Sequence, residues 1–277
     1  MTIADGSRDW VEVADRCFMR RYSSFDVNVG VVVGTAGLAV IDTRASLSQG
    51  SETAGHVREL SHLPVSGVVN THQHFDHTYG NAAFPGVRIV AHESVPEDLA
   101  EDWARIRDDA EGSTDDPFSA EVLATPLVVP DTTFSSVCFL DLGDRTIELA
   151  YPGRGHTRGD ILVRVPDADV VYAGDLVEQS GPPSYGEDCW PLEWGATLDL
   201  AIGLMTPGST VVPGHGDAVD REFVQAQRQD VIDVAEQIRE LAGSARTVDD
   251  ALALGTWPFP PERLVAAVRR GFTHLRG

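Results

Sequence analysis

The stretch that decides the fold is Val65-Ser-Gly-Val-Val-Asn70, followed at once by Thr71-His72-Gln73-His74-Phe75-Asp76-His77. Its first half is a short, β-branched apolar run, the composition of a buried strand. Its second half puts three imidazoles and a carboxylate within six residues. With nine His in 277 residues, chance supplies such a run in about one chain per thousand. The carboxyl end of a strand is also where ligands ordinarily bind an α/β sheet. Imidazole and carboxylate donors suit zinc, and also iron or manganese. Buried together without a cation, they would cost several kcal/mol.

Upstream, Arg16–Tyr22, Val27–Val33 and Gly37–Asp42 read as strands, the last two joined by the turn Gly34–Gly37. A helix is predicted over Leu47–Leu60, ending near Pro64. Downstream, Val87–Ala91 reads as a strand, Ser94–Asp109 as an acidic helix and Glu111–Pro117 as a polar loop. Two strand pairs follow, Val137–Leu142 with Thr146–Tyr151 and Ile161–Val165 with Val170–Ala173. Gly181–Pro191 is loop-like, Leu198–Leu204 helical and Thr210–Val212 a last strand. From Arg221 the apolar residues recur at helical spacing, and Val248–Leu254 and Glu262–Leu275 continue that pattern. This alternation predicts an α/β layered fold, with residues 1–277 as one domain and the helices from about 221 packed on it.

Three more predicted strand ends carry a candidate ligand. His156 stands in Gly-Arg-Gly-His-Thr, Asp175 in Ala-Gly-Asp and His215 in Pro-Gly-His-Gly. Glycine beside each lets the backbone turn and approach a site closely. His56, His62, His92 and His274 lack that setting and are read as structural.

Composition narrows the chemistry. The formal net charge is −22, and all 21 basic residues are Arg. Lacking lysine, the chain has neither Schiff-base nor P-loop chemistry. The acidic balance argues against nucleic-acid and anionic-membrane partners, leaving a small-molecule substrate; oligomeric state is not legible. No apolar run reaches the ~20 residues of a membrane span. The polar opening Met1–Trp10 has no basic-then-apolar leader pattern, so a cytoplasmic protein is expected. Cys17, Cys138 and Cys189 form no CxxC pair, and Cys17 and Cys138 are expected to be buried reduced thiols.

His-x-His-x-Asp-His, Gly-His-Thr, Gly-Asp and Gly-His-Gly, in that order, resemble the metallo-β-lactamase superfamily over about residues 13 to 243. The resemblance implies a four-layer αββα sandwich with a site at one edge. It puts His72, His74 and His156 on a first metal and Asp76, His77 and His215 on a second, with Asp175 bridging two Zn2+. Asp rather than Cys at 175 looks more like the thioesterase, lactonase and phosphodiesterase branches. The implied chemistry is attack of a metal-bridged hydroxide on an ester, thioester, lactone or lactam carbonyl, with Asp76 as the catalytic residue that orients it and carries its proton. The alternatives are a phosphodiester hydrolase and an iron oxidoreductase like the persulfide dioxygenases. Thr71, Thr157 and Asp42 are candidate partners for imidazole N–H groups. Tyr185, Trp190 and Trp194 are candidates to wall an apolar substrate pocket, Trp103 to serve as a lid, and Arg154 and Arg158 to meet an anionic substrate; Phe75 is read as packing.

Overall fold

The structure is a computed structural model that describes residues 9–113, 116–245 and 247–276. Strands β1 (Val11–Ala14), β2 (Cys17–Arg21), β3 (Asn28–Val33), β4 (Leu38–Ile41), β5 (Val65–Val69), β6 (Ile89–His92) and β7 (Thr132–Phe134) form one sheet in sequential order. Pairing is antiparallel through β4 and parallel beyond it. The second sheet runs β13-β12-β11-β10-β9-β8, from β8 (Val137–Asp141), β9 (Thr146–Ala150), β10 (Leu162–Val165), β11 (Val170–Glu178), β12 (Thr210–His215) and β13 (Val219–Asp220).

The two-residue period of a strand decides which side chains meet. Val32, Ala39, Ile41 and Val69 of the first sheet face Ile147, Leu149, Val163, Val170 and Tyr172 of the second, making the inner core. The alternate residues Val29, Val31, Leu38, Val40 and Val68 face outward onto α1 (Leu47–Leu60). On the far side, Val171, Ala173, Leu176 and Val177 pack against α5 (Trp194–Gly203), α6 (Arg221–Leu241), α7 (Val248–Leu254) and α8 (Val265–Arg276). The layers are therefore αββα, as the resemblance implied. The close approach of the sheets fixes one glycine: a Cβ on Gly30 would lie 2.5 Å from the Tyr172 ring.

The helices follow their sequence signals. Ser46 caps α1 by accepting from the Gln49 amide, and Asp220 caps α6 by accepting from Phe223. Val224, Val231, Val234, Ala235, Ile238 and Leu241 form the buried stripe of α6. No helix among the described residues is long and apolar enough to cross a membrane.

Several boundaries move. The edge strands β1 and β7, four and three residues long, are too short for a two-residue period to stand out in the sequence. The loop expected at Glu111–Pro117 shrinks, because α3 (Val95–Gly112) runs to Gly112 and α4 (Pro117–Ala124) starts at Pro117, capped by Asp116. Residues 114 and 115, like 1–8 of the polar opening, lie outside the described residues. The fifth helix begins at Trp194 rather than Leu198. Strand β11 continues to Glu178 instead of ending at Ala173, and β12 reaches His215. Irregular parallel pairing between these two carries them past the glycines that read as breaks.

Candidate metal centre

The segment after β5 turns into the short helix α2 (Phe75–Thr78). The Thr78 hydroxyl donates to the carbonyls of Gln73 and His74, 3.0 and 2.9 Å away, pinning the turn. This brings His72, His74, Asp76 and His77 to one edge of the sandwich. The second sheet contributes His156 from the loop between β9 and β10, Asp175 from β11 and His215 from β12. All seven sequence candidates converge. Donor atoms of His72, His74, His156 and Asp175 lie within 4.8 Å of one another, and so do those of Asp76, His77 and His215. Asp175 joins the two groups, its Oδ2 lying 3.4 Å from His156 Nε2 and 3.3 Å from His215 Nε2, its Oδ1 3.2 Å from His77 Nε2. A Cβ on Gly214 would fall 1.8 Å from Asp175 Oδ1, so only glycine admits the carboxylate there.

Each of the five rings is anchored through the nitrogen that points away from the centre. His72 Nδ1 meets Thr71 Oγ1 at 3.0 Å, and that hydroxyl donates to Asp42 Oδ2 at 2.8 Å. His77 Nδ1 donates to the same Asp42 oxygen at 2.8 Å. His156 Nδ1 donates to the Ser184 carbonyl at 2.8 Å, and His215 Nδ1 to that of Phe25 at 3.0 Å. His74 is reversed: its Nε2 donates to Asp188 Oδ2 at 3.0 Å and its Nδ1 faces inward. These bonds fix the tautomers, leaving four Nε2 atoms and one Nδ1 as lone-pair donors aimed at a common space. Asp42, at the hub, holds the left-handed backbone φ of 64°. That conformation is uncommon for a residue with a Cβ, and such strain concentrates at functional sites.

The electrostatics express the crowding of these groups. Burial and the neighbouring His77 push His72 well below the ordinary histidine value. Burial and His74 push His156 down to about 4. Burial opposes the charge on His74 and His215, but Asp188 for the first and Asp175 for the second raise each to about 9. Asp175 falls well below the carboxylate range although burial opposes it, because His215 and His77 face it. Two buried atoms of the centre, His72 Nε2 and Asp175 Oδ1, have no hydrogen-bond partner among the described residues. His74 Nδ1 and His156 Nε2 stand 2.8 Å apart. Lone pairs and carboxylates packed inward with orphaned atoms among them are a donor set that fits a cation.

Over this floor opens a cavity of about 830 Å³. Phe75 and α3 residues Asp102, Arg105 and Ile106 form one wall, Glu178 and the loop from Ser180 to Asp188 another, and Arg263 a third.

The aromatic residues expected to wall it do something else. Trp194 is fully buried, donates from its indole to the Leu176 carbonyl and backs the His156 ring at 5.8 Å. Tyr185 is buried against Trp194. Trp190 stacks on His274 and under Arg154, outside this cavity. Their apolar surface is spent on seating the loop. Trp103 packs edge-on to Tyr79 instead of closing the mouth. Arg154 pairs with Glu193, and Arg158 with Glu97 and Asp98, so neither waits for a substrate. Thr157 bonds Asp160 rather than an imidazole. Asp188 was missed, since it sits in a loop read for its aromatics; Asp42 and Thr71 stand where expected.

An αββα sandwich whose edge gathers five imidazoles and two carboxylates defines a class of metal-binding protein. Residues 23–229 match the family model described as the metallo-beta-lactamase superfamily, and the chain belongs to that superfamily. It is 26% identical to a metallo-beta-lactamase type 2 of Bacillus cereus over 69% of this chain and 68% of that protein. It is 26% identical to the human acyl-coenzyme A thioesterase MBLAC2 over 68% of this chain and 72% of the relative. Among solved structures, a metallo-beta-lactamase from Pontibacter korlensis superposes with a TM-score of 0.65 at 20% identity, covering 80% of this chain and 98% of its own.

Proposed function

We propose that the chain is a metal-dependent hydrolase that cleaves an ester, thioester, lactone or lactam carbonyl with two zinc ions. The observation that carries this reading is the inward convergence of five fixed lone pairs with Asp76 and Asp175, including the orphaned His72 Nε2 and Asp175 Oδ1. His72, His74 and His156 would hold one ion, Asp76, His77 and His215 the other, with Asp175 between them. The named activities of the relatives, a β-lactamase and an acyl-coenzyme A thioesterase, support acyl cleavage as the class. When bound, the metals supply Lewis acidity that activates water near neutral pH.

The protein's own groups do the rest. Asp42, Thr71, Asp188 and the carbonyls of Ser184 and Phe25 keep the rings in the ligating tautomer. Asp76, on the cavity floor and without an arginine partner among the described residues, accepts the proton of the attacking water and passes it to the leaving group. The cavity above has room for a substrate of ordinary metabolite size.

Metal quantification combined with a panel of thioester, lactone, ester, β-lactam and phosphodiester substrates tests this. Two zinc ions per chain with acyl turnover is the expected result. One iron with oxygen consumption, or turnover of the phosphodiester alone, would overturn it.

A further inference from the structure

Glu178, the last residue of β11, is absent from the ligand set above, yet it is 7% exposed and lines the cavity. Its position is tightly set. Its backbone amide donates to Gln227 Oε1 at 3.0 Å, and Gln227 in turn donates to the Leu176 carbonyl. One carboxylate oxygen, Oε1, accepts from the Ser180 hydroxyl at 2.6 Å and the Ser180 amide at 3.1 Å. The other has no hydrogen-bond partner among the described residues. A donor atom of Glu178 lies within 4.8 Å of those of Asp175 and His215.

Two buried carboxylates side by side need compensating charge. The imidazoles of His77, His156 and His215 face Asp175, but no basic side chain among the described residues pairs with Glu178. Asp175, 6% exposed, has no hydrogen-bond partner for its Oδ1 among the described residues. A cation shared by both would satisfy these atoms together.

Resting on the metallohydrolase reading, we propose that Glu178 is an additional ligand of the second metal position, alongside Asp76, His77, Asp175 and His215. The two positions then differ in kind. The first is rich in imidazole. The second carries three carboxylates and favours a harder divalent cation, because carboxylate donors suit manganese whereas imidazole suits zinc and iron. Ser180 is the positioning residue, holding the Glu178 carboxylate through Oε1.

The test is titration of chelator-stripped full-length protein with Zn2+ against a chromophoric chelator, repeated with Mn2+. Wild type should take up two equivalents. Glu178→Gln keeps the shape and the Ser180 contact; it should bind the first Zn2+ as wild type does and the second at least about tenfold more weakly, with the larger loss for Mn2+. Ser180→Ala should weaken the second equivalent less, and it serves if the glutamine variant fails to fold. Binding of both equivalents within twofold of wild type, in whichever variant folds, overturns the role of Glu178. A wild type that takes up no metal overturns the centre itself, a separate result.

Discussion

The floor and the rim of the cavity are built on opposite principles. On the floor, every ring is held from behind by a hydrogen bond: His72 and His77 by the buried Thr71 and Asp42, the hub Asp42 being 2% exposed, and His74, His156 and His215 by Asp188 and the carbonyls of Ser184 and Phe25 nearer the surface. On the rim, the charges pair with one another in solvent: Arg105 with Asp102, and Arg269 with Glu187. The floor gives up desolvation energy to hold one geometry; the rim gives up little and holds loosely. Chemistry should therefore be sensitive to single atoms on the floor and tolerant on the rim, where specificity can drift without loss of the fold.

Removing a floor ligand is the harshest way to test that contrast. His74→Ala should reduce acyl turnover to background while circular dichroism and melting show the fold retained; full activity would break the floor–rim distinction and the site assignment with it. One layer behind, Asp42→Asn keeps the volume but loses the charge that holds His77 and Thr71. Zinc affinity should fall by about 10–100-fold, measured by chelator competition.

The next effect is one of pH on the metal-free protein. His74 and His215 are raised to about 9 in the folded state, from 6.5 unfolded. The stability they contribute is fully present below pH 6.5 and is lost as pH rises through about 9. Chelator-stripped protein should thus melt several degrees lower at pH 9.5 than at pH 6.5, at roughly 2–4 °C per kcal/mol. Metal-loaded protein, whose donor nitrogens carry no proton, should show a flatter dependence; equal slopes in calorimetry would contradict the donor assignment. The rim gives the smallest response. Arg269→Ala breaks an exposed pair, both members more than half exposed, and should change stability by less than about 1 kcal/mol in chemical denaturation.

The same division explains what could be read from sequence. His72 to His77 announce themselves because four donors crowd one strand end, and glycine neighbours mark His156, Asp175 and His215. Asp42 and Thr71 were legible as neighbours of strand ends. Asp188 and Glu178 were not, because a single acid in a loop or at a strand end resembles any of the 43 acids of the chain. The loop aromatics misled for a related reason: Trp194 and Tyr185 have the size of pocket walls, and only the packing of α5 and α6 shows them inside the core. Boundaries slipped where tertiary pairing outran local pattern, as in β11 and β12, whose ligands lie within the strands rather than after them.

The donors hang in two sets, His72, His74, Asp76 and His77 from the end of the first sheet, and His156, Asp175 and His215 from the second. A cation between them would act as a rivet through the sandwich. The two β-layers could then part only by breaking coordination bonds, so amide hydrogens along the inner core, far from the cavity, would exchange more slowly once the rivet is in place.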